Sequence, residues 1–429
     1  MTYLSASCRA TFRTRQPSWL LAAGLTAVAA GCGSSPGGHG FDSPAPEGSR
    51  LPHLSADARA RPVLSWVEPS GDGHALVYAV LGESGWQPPV TVAQGGDWFV
   101  NWADVPSVRP VGDELWAAHW LVEQPGGMYA YDIALTLSRD GGQSWGPSFT
   151  PHHDGTPTEH GFVSLWPMRL MDGKAAVGAI WLDGRDTLLD PARSTSETPR
   201  TALRSAVFDA AGNEVSSGKV DGRVCDCCQT DVALTPEGPM TAYRGRGDGE
   251  VRDIHVATRG KTGWQASGPI ADDGWVIEGC PVNGPAIAAS GDAVAVAWYT
   301  EAADQKRVQL VRRANPAAAW SRPTVVDEGA PMGRVDLALL ADGDAAVSWM
   351  AEAEDGGAVI LLARVGGDGA VGQPLRIARV EASRPAGFPR LIRHGDGLLL
   401  AWTHWEDGVS RVVMGRVATD DLPRSLRSG

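Results

Sequence analysis

The sequence predicts an all-β protein, a β-propeller of four-stranded blades, with seven units favoured and six as the alternative. Three observations lead there. First, one closing aromatic recurs, at Trp66, Trp120, Trp181, Tyr243, Trp298, Trp349 and Trp402, with separations of 54, 61, 62, 55, 51 and 53 residues. Second, each of these ends an apolar or alternating run (VLSW, LWAAHW, VGAIW, PMTAY, VAVAW, AAVSW, LLLAW), the pattern of a strand buried between sheets. Third, 53 glycines, 30 prolines and 17 tryptophans suit many short strands and tight turns better than long helices.

Each unit continues past its aromatic into a further strand, such as IALTLSRD, IHVATR, VQLVRR, VILLARV or RVVMGRV, and most then reach a turn with a Trp-Gly/Ser-x-Pro signature. A four-stranded repeat of about fifty residues cannot bury both its faces alone, and radial stacking of such sheets solves that. A two-sheet sandwich is the competing architecture. Seven evenly spaced copies of one aromatic argue against it.

The N-terminus reads as an address. Arg9, Arg13 and Arg15 precede the apolar run Trp19 to Ala30, too short for a membrane span and right for a signal peptide. Small residues lead into Cys32, an approach that resembles a bacterial lipobox, with Ala29 where leucine is usual. The expected organisation is a signal peptide over 1–31, lipidation at Cys32, a flexible tether over 32–48 and the propeller over 49–429. An ordinary signal peptide with a chance cysteine is the alternative. Gly33 after the cysteine fits outer-membrane sorting, so the expected location is the outer membrane or periplasm, with the lipid anchor as the membrane contact. The formal charge of −13 excludes nonspecific nucleic-acid binding, which needs a positive surface.

Ser138-Arg139-Asp140-Gly141-Gly142-Gln143-Ser144-Trp145 resembles the Asp box of sialidase-like propellers. The roles are structural: Ser138 and Asp140 organise the turn, Gly142 takes a left-handed position, and Trp145 packs between blades. Degenerate copies end at Trp86, Trp264 and Trp320. The resemblance extends along the body and implies a site. Arg50, in Arg50-Leu51-Pro52, matches the first-blade arginine that grips a substrate carboxylate, a task suited to a planar guanidinium. The segment NWADVPSV places Asp104 as acid/base. The second arginine would be Arg244, with Arg252 nearby, and Arg334 or Arg390 would supply a third. Two departures stand out. Cys228 occupies the place of the family's glutamate, with Asp231 and Glu250 the nearest carboxylates, so Glu250 is carried as the second catalytic candidate. Phe388 stands where the nucleophilic tyrosine belongs, and a phenyl ring has no hydroxyl. Tyr243 and Tyr299 read as core aromatics.

Four cysteines remain in the body. Cys225, Cys227 and Cys228 open unit four and Cys280 opens unit five, with Cys225 and Cys280 at equivalent positions. In an oxidising envelope they form one or two disulfides. The competing reading is a thiolate site for Zn or Cu, with His160 and His255 as neighbouring ligands. Apart from that metal, no cofactor is expected. Three functions follow: an exo-acting sialidase-type glycosidase on a sialylated or other acidic glycan, a non-catalytic propeller binding a glycan or an envelope protein partner, and a metal or redox protein.

Overall fold

A computed structural model describes residues 39–127, 129–187 and 200–425. The expected signal peptide and the expected lipidation site, Cys32, lie outside the described residues. The body is a seven-bladed β-propeller of four-stranded blades. The innermost strands are Arg50–Ala56, Ser107–Pro110, His160–Arg169, Asp231–Thr235, Ala286–Ser290, Pro331–Leu339 and Arg390–His394, in blades 1 to 7. Within each blade the chain runs outward through antiparallel neighbours. Blade 2 is the thinnest: its three strands gain a fourth only as a bridge between Leu135 and Phe149.

The seven closing aromatics sit one per blade on the second strand, not the innermost, and all are buried. Their polar ends explain why tryptophan and tyrosine are used rather than phenylalanine, since a buried N–H or O–H needs a partner. Tyr243 Oη donates to Asp221, Trp298 Nε1 to Asp273 and Trp349 Nε1 to Asp327, each carboxylate belonging to the preceding blade or its exit loop. In blades 4, 5 and 6 the aromatic thus ties its sheet to the preceding one, whereas Trp66 and Trp181 bond carboxylates of their own strands and Trp402 Nε1 is buried without a partner.

A second device recurs at the start of the inner strands. Leu51, Phe162 and Arg334 adopt left-handed backbone, at φ 57°, 54° and 54°. That conformation costs a non-glycine residue about 1–2 kcal/mol. Each amide is held by a side chain from the preceding blade or its entry loop: Thr403 Oγ1 for Leu51, Asp104 Oδ2 for Phe162 and Asn283 Oδ1 for Arg334. The register of the strand pair shifts at each joint.

The tether ends earlier than the sequence suggests. Gly40–Phe41 forms the outermost strand of blade 7, paired with Met414 and Gly415. Gly48 N donates to Ser410 O and Ser43 Oγ to Val412 O, while Trp86 of blade 1 reaches back to Asp42 O. The N-terminal segment therefore closes the ring by completing the last blade. Its glycine, proline and serine content hid this, because the blade supplies the pairing edge and the segment supplies only backbone.

The Ser138–Trp145 turn is built as its residue types require. Ser138 accepts the Gly142 amide, and Asp140 accepts the Ser144 hydroxyl, the Ser144 amide and the Ser138 hydroxyl. These bonds pull the Asp140 carboxyl down to about 2. Gly142 has φ 90°, and a Cβ there would stand 2.3 Å from Tyr78 Oη, so only glycine fits.

Candidate functional site

The loops that enter the inner strands gather most of the candidate residues, yet they do not form the constellation the resemblance implies. Asp104 is a joint residue. Its Oδ2 accepts the Phe162 amide at 2.7 Å, and the side chain is only 2% exposed. Burial pushes its carboxyl up to about 7 against the pull of that amide, and Oδ1 is buried without a partner. Glu250 is not its counterpart. It lines a separate open cleft with Asp226, Arg246, Arg252, Glu278 and Cys280, and is ion-paired to Arg252 at 2.6 Å and Arg246 at 3.0 Å. Those bonds, the one from Arg252 first, hold its carboxyl below the usual range, which suits neither acid nor base work at neutral pH.

Two of the expected substrate arginines are braces. Arg244 is fully buried and donates to Asn283 O, Tyr299 O and Arg252 O, with its guanidinium 4.9 Å over Trp275. Arg334 donates to Gly387 O and Ser383 O and lies 4.9 Å over Trp102. Backbone carbonyls of neighbouring blades use up the donors that a ligand would need. Arg390 lies in the axial cavity with His53, Arg109, Gln229 and Asp231. There the carboxylates also serve as staples: Asp231 accepts the Ile287 amide of blade 5, and Asp336 the Leu391 amide of blade 7.

The Arg50 guanidinium is half-buried and, like that of Arg390, whose Nε is buried without a partner, makes no hydrogen bond or ion pair among the described residues. Arg50 lines a cleft between blades 7 and 1 with Leu51, Val100, Asn101, Trp102, Pro385 and Trp405. Trp102 stacks on Phe388 at 5.8 Å, so the position expected to hold a tyrosine belongs to this same corner as a packing ring. Asn101 Oδ1 caps the Ala103 and Asp104 amides, which leaves its amino group as a further donor.

A tyrosine–carboxylate pair does exist, one that the sequence reading missed. Tyr131 and Glu159 lie next to one another beside Asp104. Burial, with Asp226 and Asp104 nearby, raises Glu159 to about 7, and burial drives Tyr131 well above its ordinary range. Tyr131 is 1% exposed and stacked on Phe99 at 4.3 Å, which seals the hydroxyl from a substrate.

The cysteines converge without bonding. Cys225 Sγ stands 3.3 Å from Cys228 Sγ and 3.7 Å from Cys227 Sγ, against about 2.05 Å in a disulfide. All four are free thiols, which corrects the disulfide expectation for this structure. Hydrogen bonding from Cys227, then Cys228, holds the Cys225 thiol well below its usual range, and Arg252 adds to this. His160 and His255 do not join them. His255 packs by Tyr243 and Asp221. His160 stacks on His152 at 3.8 Å, in a cluster at the seam of blades 2 and 3. Asp154 contacts both rings, at 3.0 Å and 3.2 Å, and Arg185 ties Asp154 to Asp183. Asp132, His152 and His160 offer three ligand atoms of the kind a divalent ion takes. The run HHDGTPTEH just before an inner strand was the available signal.

No protein-family model matches the sequence, and no curated protein matches it. Among solved structures, the chain is similar to a polysaccharide lyase of family PL25, an ulvan lyase, at 12% identity and a TM-score of 0.56, over 89% of this chain and 98% of that one. The same lyase bound to -[GlcA(1-4)Rha3S]- gives 0.55 at the same identity and shares. The chain is also similar to a protein of unknown function from Dyadobacter fermentans DSM 18053, at 12% identity and a TM-score of 0.45, over 86% and 95%. A Hadza microbial sialidase follows at 13% and 0.37, over 70% and 63%. The likeness to the lyase places the chain among seven-bladed propellers, and what it shows is the fold.

Proposed function

We propose that the protein binds an acidic glycan in the cleft between blades 7 and 1, without hydrolysing it. The observation that carries this reading is Arg50: a half-buried guanidinium with no partner among the described residues, in a cleft that also offers the half-buried indole of Trp405. A sugar ring packs its apolar face on an indole, and an arginine takes a carboxylate through two parallel N–H···O bonds. The fold likeness to a polysaccharide lyase supports a carbohydrate ligand. Binding is favoured over cleavage because the acidic groups are out of reach. Asp104 is 2% exposed, on the wall of the axial cavity rather than in this cleft, Tyr131 is 1% exposed, and Glu250 is ion-paired in a different cleft. The test compares an acidic oligosaccharide with its carboxyl-reduced, neutral counterpart by calorimetric titration. The acidic form is expected to bind at least about tenfold more tightly, the effect of one charge-assisted contact of roughly 1.5–3 kcal/mol. Equal affinity for both forms, or turnover of the acidic one, would overturn this reading.

A further inference from the structure

The thiol cluster is a built site. Three sulfurs come from one short segment, Cys225, Cys227 and Cys228, on the way into blade 4, and the fourth, Cys280, from the equivalent segment entering blade 5. The Sγ atoms of Cys225, Cys227 and Cys228 all lie within 4.8 Å of one another, and so do those of Cys227 and Cys280 with an Asp226 carboxylate oxygen. Four sulfurs bound tetrahedrally at about 2.3 Å stand roughly 3.8 Å apart. The Cys225–Cys227 separation of 3.7 Å is close to that edge, and the 3.3 Å separation of Cys225 from Cys228 is slightly inside it.

The surroundings match a thiolate set. Cys225 and Cys228 are buried, Cys227 is half-buried and Cys280 is exposed, so three sulfurs form a floor and the fourth stands at the mouth. A cluster of thiolates needs positive charge nearby. Arg252 Nη1 contacts Cys225 Sγ at 3.1 Å, and Arg246 stands 3.7 Å from Asp226. The frame is fixed before any ion arrives. The Cys225 amide donates to Arg244 O, the Arg252 amide to Trp275 O, and Gln229 joins Ala103 O to the Gly284 amide across the two segments. The outer partners that orient metal ligands are therefore in place.

We propose that Cys225, Cys227, Cys228 and Cys280 bind one thiophilic ion, Zn²⁺ or Cu⁺, and that this ion locks blade 4 to blade 5. Soft sulfur ligands select these ions over calcium or magnesium. The trio Cys225, Cys227 and Cys228 suits three-coordinate Cu⁺, and tetrahedral Zn²⁺ would draw in Cys280, which lies within 4.8 Å of Cys227. The ion clamps two segments that the chain brings together from fifty-five residues apart.

The full chain, reduced and stripped of metal under anaerobic conditions, is titrated separately with Zn²⁺ and with Cu⁺ against a competing chelator. One equivalent per chain is expected, with a rise in melting temperature. Loading with Co²⁺ should give the strong near-ultraviolet bands of thiolate-to-metal charge transfer. Cys280→Ser alters an exposed residue and should fold, which circular dichroism checks. Its Zn²⁺ affinity should fall by more than about a hundredfold, since loss of a sulfur ligand should exceed the 10–100-fold typical of changes to the groups that orient ligands. An undiminished Cu⁺ affinity in that variant would assign the trio to Cu⁺, and a parallel loss would assign all four sulfurs to either ion. Cys227→Ser should abolish both. The proposal is overturned if the reduced wild-type chain takes up no stoichiometric ion, if Co²⁺ gives no charge-transfer bands, or if Cys227→Ser folds and binds as well as wild type.

Discussion

A chain that starts at Ser49 is expected to lose about 5 kcal/mol of stability relative to one that starts at Ser35. The missing segment completes blade 7 and ties it to blade 1. It supplies the Gly48 N–Ser410 O, Arg416 N–His39 O, Ser43 Oγ–Val412 O and Trp86 Nε1–Asp42 O bonds, all 2.7–2.9 Å long. At about 1 kcal/mol each, these account for most of the loss. Ala45 is fully buried and Phe41 packs on the core formed by Trp66, Leu399 and Met414, which adds the rest. The cut also leaves the outer edge of blade 7 open, and an unpaired edge invites association with a second chain. Urea unfolding of the two chains, followed by tryptophan fluorescence, measures the difference. Matching midpoints would mean that the ring closes without this strand.

Arg244→Met should cost about 3–5 kcal/mol and leave glycan binding unchanged in the fraction that folds. Methionine keeps much of the side-chain bulk but has no donor. Three buried carbonyls, Asn283 O, Tyr299 O and Arg252 O, would lose their partner together, and each unsatisfied group costs about 1–3 kcal/mol. The brace joins the entry loop of blade 5 to the second strands of blades 4 and 5, so the damage should spread to the thiol segment whose Cys225 amide rests on Arg244 O. The same unfolding experiment reads the stability, and titration reads the binding. Unchanged stability with lost binding would return Arg244 to the ligand site and refute the brace.

The sequence made the repeat legible because burial between blades demands one large aromatic per blade, and a radial stack imposes it seven times. The cysteine convergence was legible for the same reason. Equal offsets before neighbouring inner strands place Cys225 and Cys280 at the same end of the axis. What could not be read was the partner of each polar side chain. Arg50, Arg244 and Arg334 all stand near strand ends, but carbonyls from an adjacent blade reach Arg244 and Arg334 and leave Arg50 alone. The likeness of NWADVPSV to a sialidase segment points to Asp104 as an acid, but a carboxylate in such a loop serves either chemistry or amide capping. Only the left-handed amide of Phe162, from the next blade, decides which. The strand Gly40–Phe41 has no apolar period to detect, since two residues cannot show one.

The most direct test of the ligand site is titration of one acidic oligosaccharide into wild-type protein and into Arg50→Ala. The Arg50 side chain is half-buried and makes no hydrogen bond or ion pair among the described residues, so its removal should leave the melting temperature nearly unchanged. Loss of a charge-assisted contact of about 1.5–3 kcal/mol should weaken binding roughly ten- to a hundredfold. The account predicts that weakening with the fold intact. An Arg50→Ala protein that binds the acidic glycan as tightly as wild type would contradict it.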